Sequence, residues 1–277
     1  MIAPALGYRP DRHKHSSETL DWKFAEHAKH LPLRAPASSG SWRDAGFVKI
    51  FNQLSLGTCV PHGFGGAWLA LAIYLGLPDP EEPSFLGLYR GRALEGSLGW
   101  DSGMQIRDVF DWARRMGVGR QRLWPYTDDP TIVDGAPKWN HDPPDGYDTA
   151  ALEKSATHDG IRYARIYETG DQRLEQLDQA DAAGLPVVFG SSVSDQFCAC
   201  SFDATKPFDP TTGTSRGLHC QWIVPGGRRF EPGGSVSRLV ANSWGTQVLD
   251  GGFWRMSEAA SARGLIDVHS LLAIPSW

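Results

Sequence analysis

Apolar residues change their spacing along the chain, and the change divides it. Over 59–75 the residues are mostly small and apolar, with Phe64, Ala67, Trp68, Ala70, Leu71 and Ile73 among them, which predicts a helix. A second helix is predicted over 84–95. Over 104–115, Ile106, Val109, Phe110 and Ala113 fall on one face at helical spacing. Beyond residue 146 the pattern shortens to strand-like runs over 161–167, 186–193, 220–224, 237–242 and 253–256, separated by turns. A helix over 171–183 interrupts them. The stretch 128–145 is rich in Pro, Asp and Gly and reads as a surface crossover. The apolar tail 265–277 is expected to pack back onto the core. The first 45 residues are polar and histidine-rich, with Pro10, Pro32 and Pro36, and predict an extended arm with a short helix around 22–30. The division is therefore an arm (1–45), a helical lobe (46–145) and a β-rich lobe (146–277), with no internal repeat.

Composition narrows the function classes. The 277 residues suffice for one large domain or two lobes with a sizeable core. A net charge of −5 offers no basic footprint for nucleic acid or an anionic membrane. No window approaches about 18 uninterrupted apolar residues, so no spanning helix is expected. Residues 1–20 carry Arg9, Asp11 and Arg12 and no apolar h-region, so no secretory signal is expected. The four cysteines are Cys59, Cys198, Cys200 and Cys220. If Cys59 has a chemical role, an odd number remains, which argues against a disulfide framework and for a reducing, cytoplasmic setting or exit by another route.

The candidate chemistry lies in three segments. Asn52-Gln53-Leu54-Ser55-Leu56-Gly57-Thr58-Cys59 precedes the first helix; Gly217-Leu218-His219 and Asn242-Ser243-Trp244-Gly245-Thr246 come much later. A thiolate is the nucleophilic form of cysteine, and a helix N-terminus or a neighbouring imidazolium lowers the thiol pKa. Gly57-Thr58 is a turn and cap signal, and Pro61 suits a first helical turn. His219 is the candidate base and Asn242 the group that orients its ring. Gln53 with the Cys59 N–H would form an oxyanion hole, in which one donor is worth roughly 3–4 kcal/mol. Each residue also has a structural reading: a buried thiol, a strand histidine, a turn-capping asparagine, a loop glutamine. His62 would point away from a cleft or toward a packed face. Cys198, Cys200, His219 and Cys220 match no common zinc spacing, so neither metal nor cofactor is expected. His13, His15, His27 and His30 read as solvated.

These segments resemble the papain-like (C1-type) cysteine peptidase family, its bacterial or phage-type branch more than its plant or lysosomal one. Gln53, Gly57 and Cys59 match in place the Q-G-x-C-G-S-C-W pattern of that family, with Thr58 a close substitute. Asn242-Ser243-Trp244-Gly245-Thr246 matches its N-S-W-G-T run, and Asp250-Gly251-Gly252-Phe253-Trp254 is similar to its G-G-Y/F ending. Leu88-Tyr89, Arg92 to Gly96, Asp101-Ser102-Gly103 and Ile106-Arg107-Asp108 resemble the helix and glycine loop beside the non-primed cleft. Gly117-Val118 with Trp124-Pro125-Tyr126 resembles the "G-V/I … P-Y" turn. Pro186 to Gly190 resembles the strand before the histidine loop. The likeness covers roughly 46–256.

The resemblance implies an α+β fold of two lobes, one helical and one β-barrel-like, with the active-site cleft between them. It implies peptide-bond hydrolysis through Cys59, His219, Asn242 and Gln53. Asp101, Ser102 and Gly103 would line the groove through backbone contacts, and Trp244 would shield the His219–Asn242 bond. The partner is then a peptide or protein substrate. Departures are Val60 in place of an aromatic, Leu56 in place of a cysteine, and Gly63, Gly65 and Gly66 in the helix, read as close helix–sheet packing. From Cys59 to His219 is 160 residues and to Asn242 183, beyond the roughly 130–150 of papain-like chains; insertions at 203–216 and 226–237 would explain the excess. Two other readings stay open. One is a catalytically silent component of a phage or bacterial assembly, contacted through the arm. The other is a cysteine acyltransferase or amidase.

Overall fold

The computed structural model describes residues 6–11, 22–29, 40–133, 135–147 and 160–274. The helix α2 (Cys59–Tyr74) runs through the middle, with 14 of its 16 residues buried. A helix apolar all round has no solvent face to present, so it sits between layers. One layer is helical: α3 (Phe85–Tyr89), continued by a 3₁₀ turn Arg90–Glu95, and α4 (Ile106–Met116). The other layer is a nine-stranded sheet.

Helix α4 buries Ile106, Val109, Phe110 and Ala113, the face its spacing predicts. The run 84–95 differs from expectation by tightening to a 3₁₀ turn after Tyr89, ending at Gly96 with φ +68. The glycines of α2 behave as close-packing residues. A Cβ on Gly63 would lie 3.0 Å from Cys220 Sγ, and one on Gly66 3.0 Å from Trp222 Nε1, both on the sheet. Gly65 faces Pro83 and Phe85 instead, each 2.8 Å from its Cβ position.

The sheet contains β1 (Trp22–Lys23), β4 (Arg162–Ile166), β5 (Val187–Ser194), β6 (Pro207–Phe208), β7 (Ser215–Ile223), β8 (Arg229–Phe230), β9 (Val236–Ala241), β10 (Phe253–Met256) and β11 (Leu265–Ala273). A separate small hairpin, β2 (Ile132–Val133) with β3 (Ala136–Pro137), lies in the crossover. The main order is β1-β4-β11-β5-β7-β9-β10-β6, with β8 beside β9, an open path rather than a closed barrel. The tail predicted only to pack back is a full strand, antiparallel to both β4 and β5. Residues 275–277 of that tail lie outside the described residues. Strand β5 is buried on both faces: Val188 joins the core beneath α2, while Val187 and Phe189 join the opposite core. That second core is covered by α1 (Phe24–Ala28) and α5 (Gly170–Ala182), through Phe24, Leu177 and Ala180. The two long connections hold β6 and the hairpin β8–β9. No helix among the described residues is long and apolar enough to cross a membrane.

Candidate active site

Cys59 is the first residue of α2. The expected Thr58 side-chain cap is not made; the Thr58 hydroxyl shares a 2.7 Å hydrogen bond with Tyr126. The loop before Cys59 is held from both sides. Asp101 accepts the Gly57 N–H at 2.9 Å, and Gln53 N–H donates to Ser243 O at 2.8 Å. Gly245 N–H donates to Phe51 O at 2.9 Å. This stitch joins the 52–58 loop to the 242–246 loop, although 190 positions separate Gln53 from Ser243.

His219 stands in the middle of β7, fully buried. Its Nε2–H donates to Asn242 Oδ1 at 2.7 Å. The same oxygen accepts Ser243 N–H at 2.8 Å and Gln221 Nε2 at 3.3 Å. Three donors on one oxygen fix the amide's orientation and with it the Nε2–H tautomer. The other ring nitrogen, Nδ1, is buried with no hydrogen-bond partner. Trp244 stacks on the ring at 4.8 Å between centroids. Gln53 is fully buried; its Oε1 accepts Ser243 Oγ at 2.6 Å and its Nε2 donates to Leu56 O at 3.0 Å.

β7 passes the cysteine at the residue after His219, whose backbone N–H reaches the Cys59 sulfur. The backbone N–H groups of Cys220, Gly7, Val60 and Cys59 itself favour the Cys59 thiolate, but burial outweighs them and pushes the thiol up to about 11. Burial likewise lowers His219 to about 4, against the bond to Asn242. Both groups are therefore neutral at pH 7 in this structure.

The burial has a visible source. Residues 6–11 of the arm form a strap through the cleft. Met104 N–H donates to Gly7 O at 2.7 Å, and Arg9 N–H to Met104 O at 3.0 Å, with Tyr8 and Met104 in a parallel bridge. Gly7 lies against Gly57 so closely that a Cβ on it would collide with the Gly57 carbonyl. Tyr8 fills a space opened by Gly190, and its hydroxyl donates to Asp267 at 2.5 Å. Arg165 pairs with Asp267 and with Asp11.

A Cβ on Gly103 (φ +67), one of the residues expected to line the groove, would strike Gly7 O of the strap. The Asp101 carboxylate holds Gly57 and Tyr89, and the Ser102 hydroxyl turns to Ser97 Oγ at 3.2 Å. His62 is stacked on Phe85 at 4.0 Å and bonds Thr58 O, in a packed face as predicted. All four cysteines are free, and no metal-ligand cluster occurs among the described residues. His27 stacks on Trp22; His13, His15 and His30 lie outside the described residues.

A peptidase C1-like protein of Acanthamoeba polyphaga mimivirus is 30% identical over 222 residues, which are 74% of this chain and 63% of that protein. The chain thus spans less than two thirds of that relative's length. Xylellain, a cysteine protease from Xylella fastidiosa, superposes with a TM-score of 0.73 at 22% identity, over 98% of this chain and 97% of its own. Procathepsin L2 of the Tenebrio molitor larval midgut gives 0.68 at 24%, over 99% and 79%. The chain has the fold of the papain-like cysteine proteases. No family model matches it. The two structural likenesses carry the fold.

Sequence reasoning passed over Gln221, whose Nε2 bonds Asn242 while its Oε1 accepts Trp254 Nε1 at 3.2 Å. It lies two positions from His219 on the same strand, so period-two alternation was the available signal. The strap at Leu6-Gly7-Tyr8-Arg9 had no local pattern to announce it.

Proposed function

We propose that this chain is a cysteine peptidase in which Cys59 is the nucleophile, His219 the proton carrier, Asn242 the ring-orienting group and Gln53, with the Cys59 N–H, the oxyanion donor. The observation that carries the reading is His219. One nitrogen is locked by Asn242, the other is buried and unpartnered, and the next residue's N–H reaches the Cys59 sulfur. A ring held this way has one place left to take a proton.

In the proposed reaction the Cys59 proton moves to His219 Nδ1. The sulfur adds to a peptide carbonyl carbon, and the oxyanion is met by N–H donors. Collapse breaks the C–N bond, and His219 gives its proton to the leaving amine. Water then adds to the thioester, passing one proton back through His219, and releases the acid and the thiol. The substrate is a peptide or protein segment laid along Gly103–Met104, the edge the strap now uses. The strap makes this a self-blocked state.

The test is peptide hydrolysis by the full chain and by Gly7→Val, whose added side chain has no room beside Gly57 and displaces the strap. Hydrolysis by Gly7→Val that disappears with Cys59→Ala or His219→Ala is the expected result. A Gly7→Val chain that stays folded, exposes Cys59 and cleaves no peptide in a broad library overturns it.

A further inference from the structure

The strap carries two charged side chains, Arg9 and Asp11; Asp11 pairs with Arg165, and what receives Arg9 is specific. The Arg9 guanidinium pairs with Glu95, at the end of the 3₁₀ turn, and its Nη2 lies 3.5 Å from Ser97 Oγ. The Glu95 side chain is 10% exposed and has no other cation among the described residues. Asp108, on the first turn of α4, is near enough to feel the charges of both Glu95 and Arg9. One oxygen each of Glu95 and Asp108 is buried without a partner, as is Arg9 Nε. Burial first, then the Glu95 charge, raises Asp108 to about 7. The other charged groups facing Asp108 are Arg107 and Asp111 of α4, which pair with each other at 3.8 Å. Two shielded carboxylates, with only the Arg107 charge near Asp108 among the described residues once Arg9 is gone, are a poor arrangement for stability. They are a good one for a ligand that supplies positive charge.

The position of the pocket ties it to the substrate path. Gly7 sits at Cys59, Tyr8 at Gly190, and Arg9 at Glu95, one residue per station along Gly103–Met104. An extended chain advances about 3.3 Å per residue in either direction. A substrate laid on the same edge therefore brings its third side chain to the same place. We propose that Glu95 and Asp108 form a cation-binding subsite that selects lysine or arginine two residues upstream of the residue donating the scissile carbonyl. For its substrate this rests on the peptidase reading above; for its binding chemistry it does not.

The test uses the full chain carrying Gly7→Val. Two fluorogenic peptides, alike except for arginine or norleucine at that position, are compared by kcat/KM. The arginine peptide is expected to be favoured roughly 10- to 100-fold, the scale of a charge-assisted pair, and less so at high salt. In Glu95→Gln and in the double variant with Asp108→Asn the ratio should fall toward one. Equal rates in the Gly7→Val parent, or a preference that survives both substitutions, would overturn the subsite. If Gly7→Val exposes Cys59 yet cleaves neither peptide, the peptidase reading has failed and the pocket is judged by binding. Titration with the capped peptide Leu-Gly-Tyr-Arg-Pro-Asp and its norleucine analogue then decides. At least tenfold tighter binding of the arginine form, lost in Glu95→Gln, supports the subsite, and equal affinity refutes it.

Discussion

Displacing the strap should change the chemistry of Cys59 as well as its accessibility, and Gly7→Val separates the two effects. With the thiol at about 11, roughly one molecule in ten thousand carries a thiolate at pH 7, against about 3% for a free cysteine. With His219 held down to about 4 by burial, moving the proton from sulfur to Nδ1 is unfavourable in the closed chain. Burial is the largest cause of both shifts, and the strap supplies part of that burial. Opening the cleft admits water and leaves the Cys59, Val60 and Cys220 N–H groups in place, so the thiol falls and the imidazole rises. The assay is iodoacetamide alkylation mapped to Cys59 by mass spectrometry, because Cys198 and Cys200 are partly exposed. The folded pKa of the closed chain is raised, so its alkylation rate should climb tenfold per pH unit and level only near pH 11. In Gly7→Val the rate at pH 6 should be at least about a hundredfold higher, on a profile that flattens below neutrality as the ion pair forms. A parent chain that alkylates at Cys59 as fast as Gly7→Val at pH 6 would refute the argument. So would a variant with unchanged pH dependence.

Other expectations follow from the same contacts. Asn242→Ala leaves three donors, from His219, Gln221 and Ser243, facing an oxygen that is gone. It should lower stability by about 1–3 kcal/mol in urea titration and cut hydrolysis at least tenfold by freeing the ring. Gly66→Leu must drive a side chain into Trp222, already 3.0 Å from a Cβ, and should destabilise by about 1–3 kcal/mol, read as a lower Tm. His269 is buried between Phe110 and Tyr163 and is held neutral down to about pH 3, by burial first and then by the Arg165 charge. Its folded pKa is depressed, so stability is full above the unfolded value near 6.5 and is lost as pH falls toward 3. His269→Phe should therefore remove about one proton from the slope of unfolding free energy between pH 6 and 4; an unchanged slope would count against it.

What the sequence made legible is what period and spacing control. Phe110 and its neighbours at three and four residues gave α4, and the small-residue run gave α2 to within a residue of its end. The packing role of Gly63 and Gly66 was readable because glycines in a helix need a reason. Illegible were features decided by distant partners. Strand β11 contains Asp267, His269 and Ser270 among its apolar residues, so no clean alternation marks it; it is a strand because β4 and β5 offer it two edges. Thr58 looked like a cap, but Tyr126, 68 positions on, takes its hydroxyl. Nor did anything local show that the Asp101 carboxylate would take the Gly57 N–H, 44 positions back.

The strap is the extreme case, and it shows why site motifs do not reveal the state of a site. Gln53, Cys59, His219 and Asn242 specify which groups meet. They leave open whether water meets them, and solvation sets whether thiol and imidazole are charged. Here solvation depends on Gly7, a residue with no side chain, which is tolerated at Gly57 because it lacks one. Tyr8 and Arg9 hold it there through Asp267 and Glu95, two carboxylates on opposite sides of the cleft. Those anchors are unequal. Asp267 keeps Arg165 when the strap leaves, whereas Glu95 keeps no cation. Release is therefore opposed at Glu95, as it is at the Arg165–Asp11 pair. A basic side chain arriving on a substrate would compete with Arg9 for that carboxylate, so the group that recognises substrate would also help to displace the strap.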